Sequence, residues 1–363
     1  MTNIQSVLQK QAVFHRFAGA NTRYGFIGLY DSIFRAGEFE SIYVIHGAPG
    51  TGKSHLMKTV AARIPEASQE RLYCSSDPDS LDGLILSHSG RKIGLLDGTA
   101  PHSRSISLPG TVETVLDLGA FWNRHKLKNE RGEITSQVKY KKTAYENAYA
   151  ALGLAGHIES EKMRILHSAF LKEKAEKFAQ RLMRRIGAPI GEQRIRYLSA
   201  LGMFGVASRR EDLSICQRVW RVPPYYGFEK LLLDTVARYA RESGVEHVRF
   251  PDVLDPYYTE CLLFPKSECA VLVGDRDVTE EDFIITPTRF VDCPSLRRER
   301  SSLRTLAHML TEEKNTALRE LSLAGKAHFA LEKIFAKAMD FAAKEEFAEK
   351  TVETIRNELF LSQ

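Results

Sequence analysis

The chain is built twice. The stretch Val222 to Ala237 lies over the stretch from Ile45 to Val60-Ala61, with Lys230 on Lys53 at an offset of 177. Asp255-Pro256 falls on Asp77-Pro78, and Val271-Leu272-Val273-Gly274-Asp275 on Ile93-Gly94-Leu95-Leu96-Asp97, both at 178. Leu321-Ser322-Leu323-Ala324-Gly325 matches Leu152-Gly153-Leu154-Ala155-Gly156 at 169, and Phe341 matches Phe170 at 171. Matches in one order at nearly one offset mean an internal duplication, so both halves must share one fold. The link Gly187-Ala188-Pro189-Ile190-Gly191 sets the boundary, giving halves 1–187 and 188–363.

Each half reads as a strand, a loop and a helix, followed by two more strands, near Leu72-Tyr73-Cys74 and Ile93-Leu96 in the first half. Strands alternating with helical patterns predict an α/β fold, a parallel sheet with flanking helices. Each half then ends in a charged helical arm with apolar residues at helical spacing. The arms run from about 136 to 186, interrupted at Gly153 and Gly156, and from about 302 to 359. The stripe Phe170, Leu171, Ala175, Phe178, Ala179 and Leu182 is broad enough to predict a hairpin packed on its own half's sheet. The other reading is an arm that projects to a protein partner or a second copy.

The first repeat carries a ligand signal. Gly47-Ala48-Pro49-Gly50-Thr51-Gly52-Lys53-Ser54 has the spacing of a phosphate-binding Walker A loop. It follows the apolar run Ile42-Tyr43-Val44-Ile45, which predicts a strand, and precedes His55 to Ile64, which predicts a helix. Glycines let successive N–H groups turn inward around a phosphate, and the helix N-terminus adds a favourable field. Lys53 is then placed to reach the β- and γ-phosphates and Ser54 to hold Mg2+. These P-loop residues predict an ATP site with Mg2+ as cofactor.

The second repeat has lost that set. In the same alignment Pro224 stands on Gly47, Glu229 on Gly52 and Leu231 on Ser54. Proline removes a donor, glutamate sets negative charge where phosphate belongs, and leucine cannot bind a metal. The second half therefore reads as a non-binding copy, with Lys230 as a surface charge.

The two halves also act as a control on one another. Asp77-Pro78 recurs as Asp255-Pro256, which predicts a structural Asx-type turn. Asp97 closes the strand where P-loop proteins keep the carboxylate that orders Mg2+, so Asp97 is read as catalytic with Lys53 and as a metal residue with Ser54, although Asp275 is aligned with it. Asp79 and His102 face Tyr257 and Glu280 and are weaker cleft candidates. Gly98 follows Asp97 where many P-loop ATPases put a water-activating glutamate, and Glu113 is the substitute base on offer. Arg297, Arg298 and Arg300 could supply an arginine finger, or form a solvated basic turn.

Bulk properties exclude little. The 363 residues carry a net charge of +5, which does not argue for nucleic acid, and the arms show no basic stripe with interleaved aromatics. Five cysteines without a Cys-x-x-Cys pair suit reduced thiols. With no apolar leader in Met1 to Phe17 and no apolar run of membrane length, a cytoplasmic location is expected.

His15-Arg16-Phe17-Ala18-Gly19-Ala20-Asn21-Thr22, the loop 47–54, Cys74-Ser75-Ser76-Asp77-Pro78-Asp79-Ser80-Leu81-Asp82-Gly83 and Asp97-Gly98-Thr99-Ala100-Pro101-His102 together resemble a family of bacterial P-loop ATPases. That family occurs largely in spore-forming and related Gram-positive bacteria and is built from two tandem P-loop halves. The resemblance covers nearly the whole chain and implies ATP binding. Members often keep a phosphate loop in the second half, and this chain departs there.

Three functions follow as expectations. The first is an NTPase whose hydrolysis drives a conformational change. The second is a kinase moving the γ-phosphoryl to a nucleotide or small metabolite, which Gly98 favours. The third is an interaction scaffold gated by nucleotide.

Overall fold

The structure, a computed structural model, describes residues 12–101, 107–274 and 282–360. His102, Asp275 and Glu280, named above, lie outside these. The first half contains strands β1 (Val13–Phe17), β2 (Gly19–Thr22), β3 (Gly25–Gly28), β4 (Ser41–His46), β5 (Ser68–Tyr73), β6 (Leu81–His88), β7 (Arg91–Asp97) and β8 (Glu113–Asp117). Its helices are α1 (Tyr30–Ile33), α2 (Lys53–Arg63), α3 (Arg124–Asn129), α4 (Arg131–Ser168) and α5 (Lys172–Ile186). The second half adds β9 (Gln193–Ile195), β10 (Ser199–Gly202), β11 (Gly205–Ser208), β12 (Arg218–Val222), β13 (His247–Pro251), β14 (Thr259–Phe264), β15 (Cys269–Val273) and β16 (Phe283–Ile284). Its helices are α6 (Phe228–Glu242), α7 (Cys293–Lys337) and α8 (Phe341–Phe360). Among the described residues no helix is long and apolar enough to cross a membrane.

The duplication is visible as topology. One sheet has the order β1-β5-β6-β7-β4-β8, and the other β9-β13-β14-β15-β12-β16. Strand for strand these are the same arrangement. The expected parallel sheet is corrected to a mixed one, because β6 runs antiparallel to both β5 and β7 while the other neighbours are parallel. The cause is local. The β6–β7 connection is the two-residue turn Ser89-Gly90, both at positive φ, and a turn that short can only return the chain antiparallel.

The arms also differ from expectation. Helix α4 runs through Gly153 and Gly156 without a break and ends at Ser168, and α7 starts at Cys293. Neither arm packs on its own half's sheet. On α5, Ala175, Ala179, Leu182, Met183 and Ile186 form one stripe that joins the core of the second sheet with Trp220, Val222 and Val271. On α8, Ala348, Val352, Ile355 and Leu359 join the core of the first sheet with Tyr43, Leu84 and Leu95. Burying that last stripe is worth on the order of 5 kcal/mol, enough to hold a helix in place.

Packing consequently divides the chain differently from the boundary at 187/188. One compact unit holds the described residues up to Ala18, Gly28–Thr143 and those from Leu323 onward. The other holds Gly19–Ile27 and Ala144–Ser322. Helix α4 carries the chain from the first unit to the second, and α7 carries it back. The sequence halves have exchanged their arms.

In the second unit, β14 carries Glu260, whose carboxylate accepts a hydrogen bond from the Ser199 hydroxyl at 2.8 Å. Burial pushes its carboxyl up from 4.5 to about 7. Between those two values the folded chain keeps a proton that the unfolded chain releases, so stability falls as pH rises, by up to about 3 kcal/mol. Glu260→Gln is expected to remove that part of the slope. Urea unfolding at about pH 4.5 and about pH 8 reads it as a smaller change in midpoint for the variant than for the parent.

Candidate functional site

The site belongs to the first unit and starts at the end of β4. This strand lies inside the sheet, between β7 and the edge strand β8, with Tyr43, Val44 and Ile45 buried. A strand covered on both faces must leave the sheet at its end, and the chain does so through Gly47 to Gly52 into α2. Gly52 caps α2 at φ 90°, and Gly50 has φ 76°, backbone settings that other residues adopt only under strain. At Gly50 a Cβ would also lie 2.5 Å from the Glu332 carbonyl oxygen of α7. The Thr51 hydroxyl donates to the Ala48 carbonyl at 2.8 Å and closes the loop on itself.

Lys53 folds back over this loop. Its ammonium donates to the Gly47 carbonyl at 2.7 Å and the Ala48 carbonyl at 3.2 Å, and stands 3.6 Å from Asp97 Oδ2. Asp97 ends β7, paired in parallel register with Ile45, so strand pairing alone brings the carboxylate to the loop. Its Oδ1 accepts hydrogen bonds from the Thr99 N–H and hydroxyl, which leaves Oδ2 toward Lys53. The Ser54 hydroxyl accepts from the Leu81 N–H at 2.9 Å, tying α2 to the start of β6. The eight loop residues, Lys53 among them, and Asp97 thus lie together.

Glu113 and Asp79 do not. Glu113 pairs with Ile42 at the start of β4, whereas the loop leaves from the far end, where His46 pairs with Asp117. Four residues of strand, about 13 Å, separate the two positions. Glu113 instead accepts the Ser107 and Leu108 N–H groups at 2.6 Å and organises the turn before β8. Asp79 is exposed, and its N–H donates to Asp77 Oδ1 at 3.3 Å. Asp77 thereby forms the expected Asx turn, as does Asp255, which accepts from the Tyr257 N–H at 3.2 Å. Arg297, Arg298 and Arg300 are exposed on the first turns of α7, in the other unit.

Gly98 has a steric explanation. A Cβ there would meet Val44 Cγ1 at 2.6 Å and His46 Nε2 at 2.9 Å, so the space beyond Asp97 is filled by the His46 imidazole. Gly98→Glu is therefore expected to install no base. It should lower stability by about 1–3 kcal/mol, read as a lower urea midpoint, with no gain in nucleotide turnover.

Sequence reasoning missed the polar residues that α4, α7 and α8 bring near the loop. Lys141 of α4 shares a hydrogen bond with His328 Nδ1 at 3.1 Å, and His328 Nε2 lies 3.5 Å from Glu332. Burial holds the Lys141 ammonium below its usual range. The His328 imidazole, with help from the Gly50 N–H, holds the Glu332 carboxyl below its own. Lys344 of α8 lies along Gly52, its Cδ 3.4 Å and Nζ 3.6 Å from where a Cβ would stand. Nothing in the sequence marks these residues, and the closeness of His328, Glu332 and Lys344 to the loop follows from the arm exchange.

The second half gives the contrast, with corrected correspondences. Gly98 and Gly274 make the same hydrogen bond, to Ile45 and Val222 respectively, and in the strand register Val273 opposes Val222 where Asp97 opposes Ile45. The counterpart of Asp97 is therefore Val273, and the carboxylate belongs to the first half alone. The buried stripe Leu56, Met57, Val60 and Ala61 of α2, with Ile64 just past its end, is matched on α6 by Leu232, Leu233, Val236, Ala237 and Ala240, an offset of 176. Glu229, rather than Lys230, then stands in the place of Lys53. Its Oε2 accepts the Tyr225 N–H at 2.8 Å and the Gly227 N–H at 3.0 Å, so the second loop holds its own carboxylate. Lys230 is not a surface charge. It is largely enclosed, its side chain 14% exposed, between Glu159 of α4 at 2.6 Å and Asp252 at 2.8 Å.

Comparison of the chain with protein families, with curated proteins and with solved structures found no match.

Proposed function

We propose that this chain is a Mg2+-dependent P-loop NTPase that binds ATP once, at residues 47–54, and couples hydrolysis to a conformational change. The observation that supports it most is the Lys53 ammonium, held on the loop's own carbonyls and 3.6 Å from the carboxylate that ends the neighbouring strand. A β- or γ-phosphate offers that ammonium a stronger partner than two carbonyls do. The N–H groups of a glycine-rich loop at a helix start complete the anion site.

Ser54 Oγ and Asp97 Oδ2 fit Mg2+ by the chemistry of the donors: one hydroxyl and one carboxylate oxygen, the rest of the shell coming from phosphate and water. Among the described residues no group of three His, Cys, Asp or Glu side chains could cage a metal, so the nucleotide has to bring ligands of its own. Bound there, Mg2+ supplies charge neutralisation on the β- and γ-oxygens. Lys53 binds and orients the phosphates, and Asp97 holds Lys53 and the metal in register.

One observation favours the kinase reading. The place beyond Asp97 holds Gly98 packed by Val44 and His46, and no carboxylate there activates water. The two readings separate by ADP release from ATP, with and without a panel of nucleosides and small metabolites. Release without an acceptor supports hydrolysis, and release only with one supports phosphoryl transfer and ends the NTPase reading.

A further inference from the structure

Helix α8 packs on the first sheet through Lys344, Ala348, Thr351, Val352, Ile355 and Leu359, all buried. Five of these are the residues such a stripe calls for, and one is a lysine. Its place is fixed rigidly. The Asp340 N–H donates to the Phe121 carbonyl at 2.9 Å, the Asn123 N–H donates to the Ala338 carbonyl at 2.7 Å, and the Lys344 N–H opens the helix on the Asp340 carbonyl at 3.1 Å. Lys344 is 3% exposed, and among the described residues its only ion-pair partner is Glu345, 2.8 Å away, whose side chain is about half exposed. A buried ammonium held by one wet carboxylate is costly unless it serves something.

The duplicate shows what the fold needs at this position. The Leu171 N–H donates to the Phe290 carbonyl as Asp340 does to Phe121, and Ala175 opens α5 on Leu171 as Lys344 opens α8 on Asp340. The counterpart of Lys344 is thus Ala175, fully buried. By the same offset of 169, Lys141 and Glu332 correspond to Leu310 and Met163. The helices near the loop that carries Lys53 are charged at three places whose counterparts by this offset are apolar. Packing is satisfied by alanine, so the lysine answers to the loop it covers.

We propose that Lys344 is a second phosphate-binding residue of the 47–54 site, its ammonium taking the terminal phosphate of a bound nucleoside triphosphate in exchange for Glu345. This rests on the nucleotide reading above. It makes the site composite: the loop comes from one half of the sequence and the second cation from the arm of the other. It also gives the arm a stake in whether the terminal phosphate is present, since a diphosphate leaves Lys344 with Glu345.

The test uses the full chain with Mg2+ and a titration of ATP and of ADP, on the parent, Lys344→Met, Lys344→Arg and Lys53→Ala. Methionine keeps the stem and alanine-like neutrality of the duplicate, so the fold should hold, and a thermal melt checks it. The expected result is a loss of ATP affinity in Lys344→Met of about tenfold or more, ADP affinity within about twofold of the parent, and recovery of most of the ATP preference in Lys344→Arg. If Lys344→Met binds both nucleotides as the parent does, while Lys53→Ala loses them, the proposal is overturned and the nucleotide reading stands. If the parent binds neither nucleotide, both are overturned.

Discussion

Lys53→Ala is expected to weaken Mg-nucleotide binding by about 10- to 100-fold and to lower turnover by about 100- to 1000-fold. The ammonium is the one cation that the loop itself supplies, and a charge-assisted bond to phosphate is lost outright when it goes. The fold has little reason to follow. The Lys53 ammonium returns two carbonyls to an open loop, and Asp97 keeps both hydrogen bonds from Thr99. A variant that melts with the parent yet has lost nucleotide places the effect at the site. Equal nucleotide affinity in the two proteins contradicts the assignment of the loop.

The opposite pattern is expected at Lys230. There the lysine is largely enclosed between Glu159, which is 2% exposed at its side chain, and Asp252, which also accepts the Leu254 and Asp255 N–H groups. Lys230→Ala leaves two carboxylates in the interior with no cation between them, a change worth about 3–5 kcal/mol. It should lower the urea midpoint sharply and leave the number of bound nucleotides unchanged. Adding Glu159→Gln and Asp252→Asn should restore much of the loss, since the cost lies in the orphaned charges. A Lys230→Ala chain as stable as the parent would refute the buried triad.

These two lysines look alike in the sequence, one in each repeat, and that likeness is where sequence reasoning reached its limit. The strand, the loop and α2 were legible because periodicity and glycine spacing act over a few residues. Asp97 was legible because strand order carries it to the loop. The alignment that joined Lys53 to Lys230 missed a loop one residue shorter in the second half, and a single-residue shift exchanges Lys230 for Glu229. The same shift hid the fact that Val273, and no carboxylate, is the partner of Asp97. An amphipathic stripe states that a helix face is buried without stating against which sheet, so the exchange of arms, and with it His328, Glu332 and Lys344, had no local signature. The antiparallel β6 did have one, in Ser89-Gly90. Glu113 was a plausible base only while its end of β8 was unknown.

Glu229 changes how the second loop is understood. Read from the sequence, it repels phosphate. In the fold it accepts two loop N–H groups, donors that the proposed nucleotide site would spend on phosphate. The second loop thus spends its N–H groups on its own side chain, whereas the first half has Lys53 at the equivalent position.

The central claim is one nucleotide site in a duplicated chain. Equilibrium dialysis of the full chain against labelled ATP and Mg2+ at saturation tests it most directly. The account predicts one nucleotide per chain, lost in Lys53→Ala and retained in Glu229→Ala. Two nucleotides per chain, or one that survives Lys53→Ala, would contradict it.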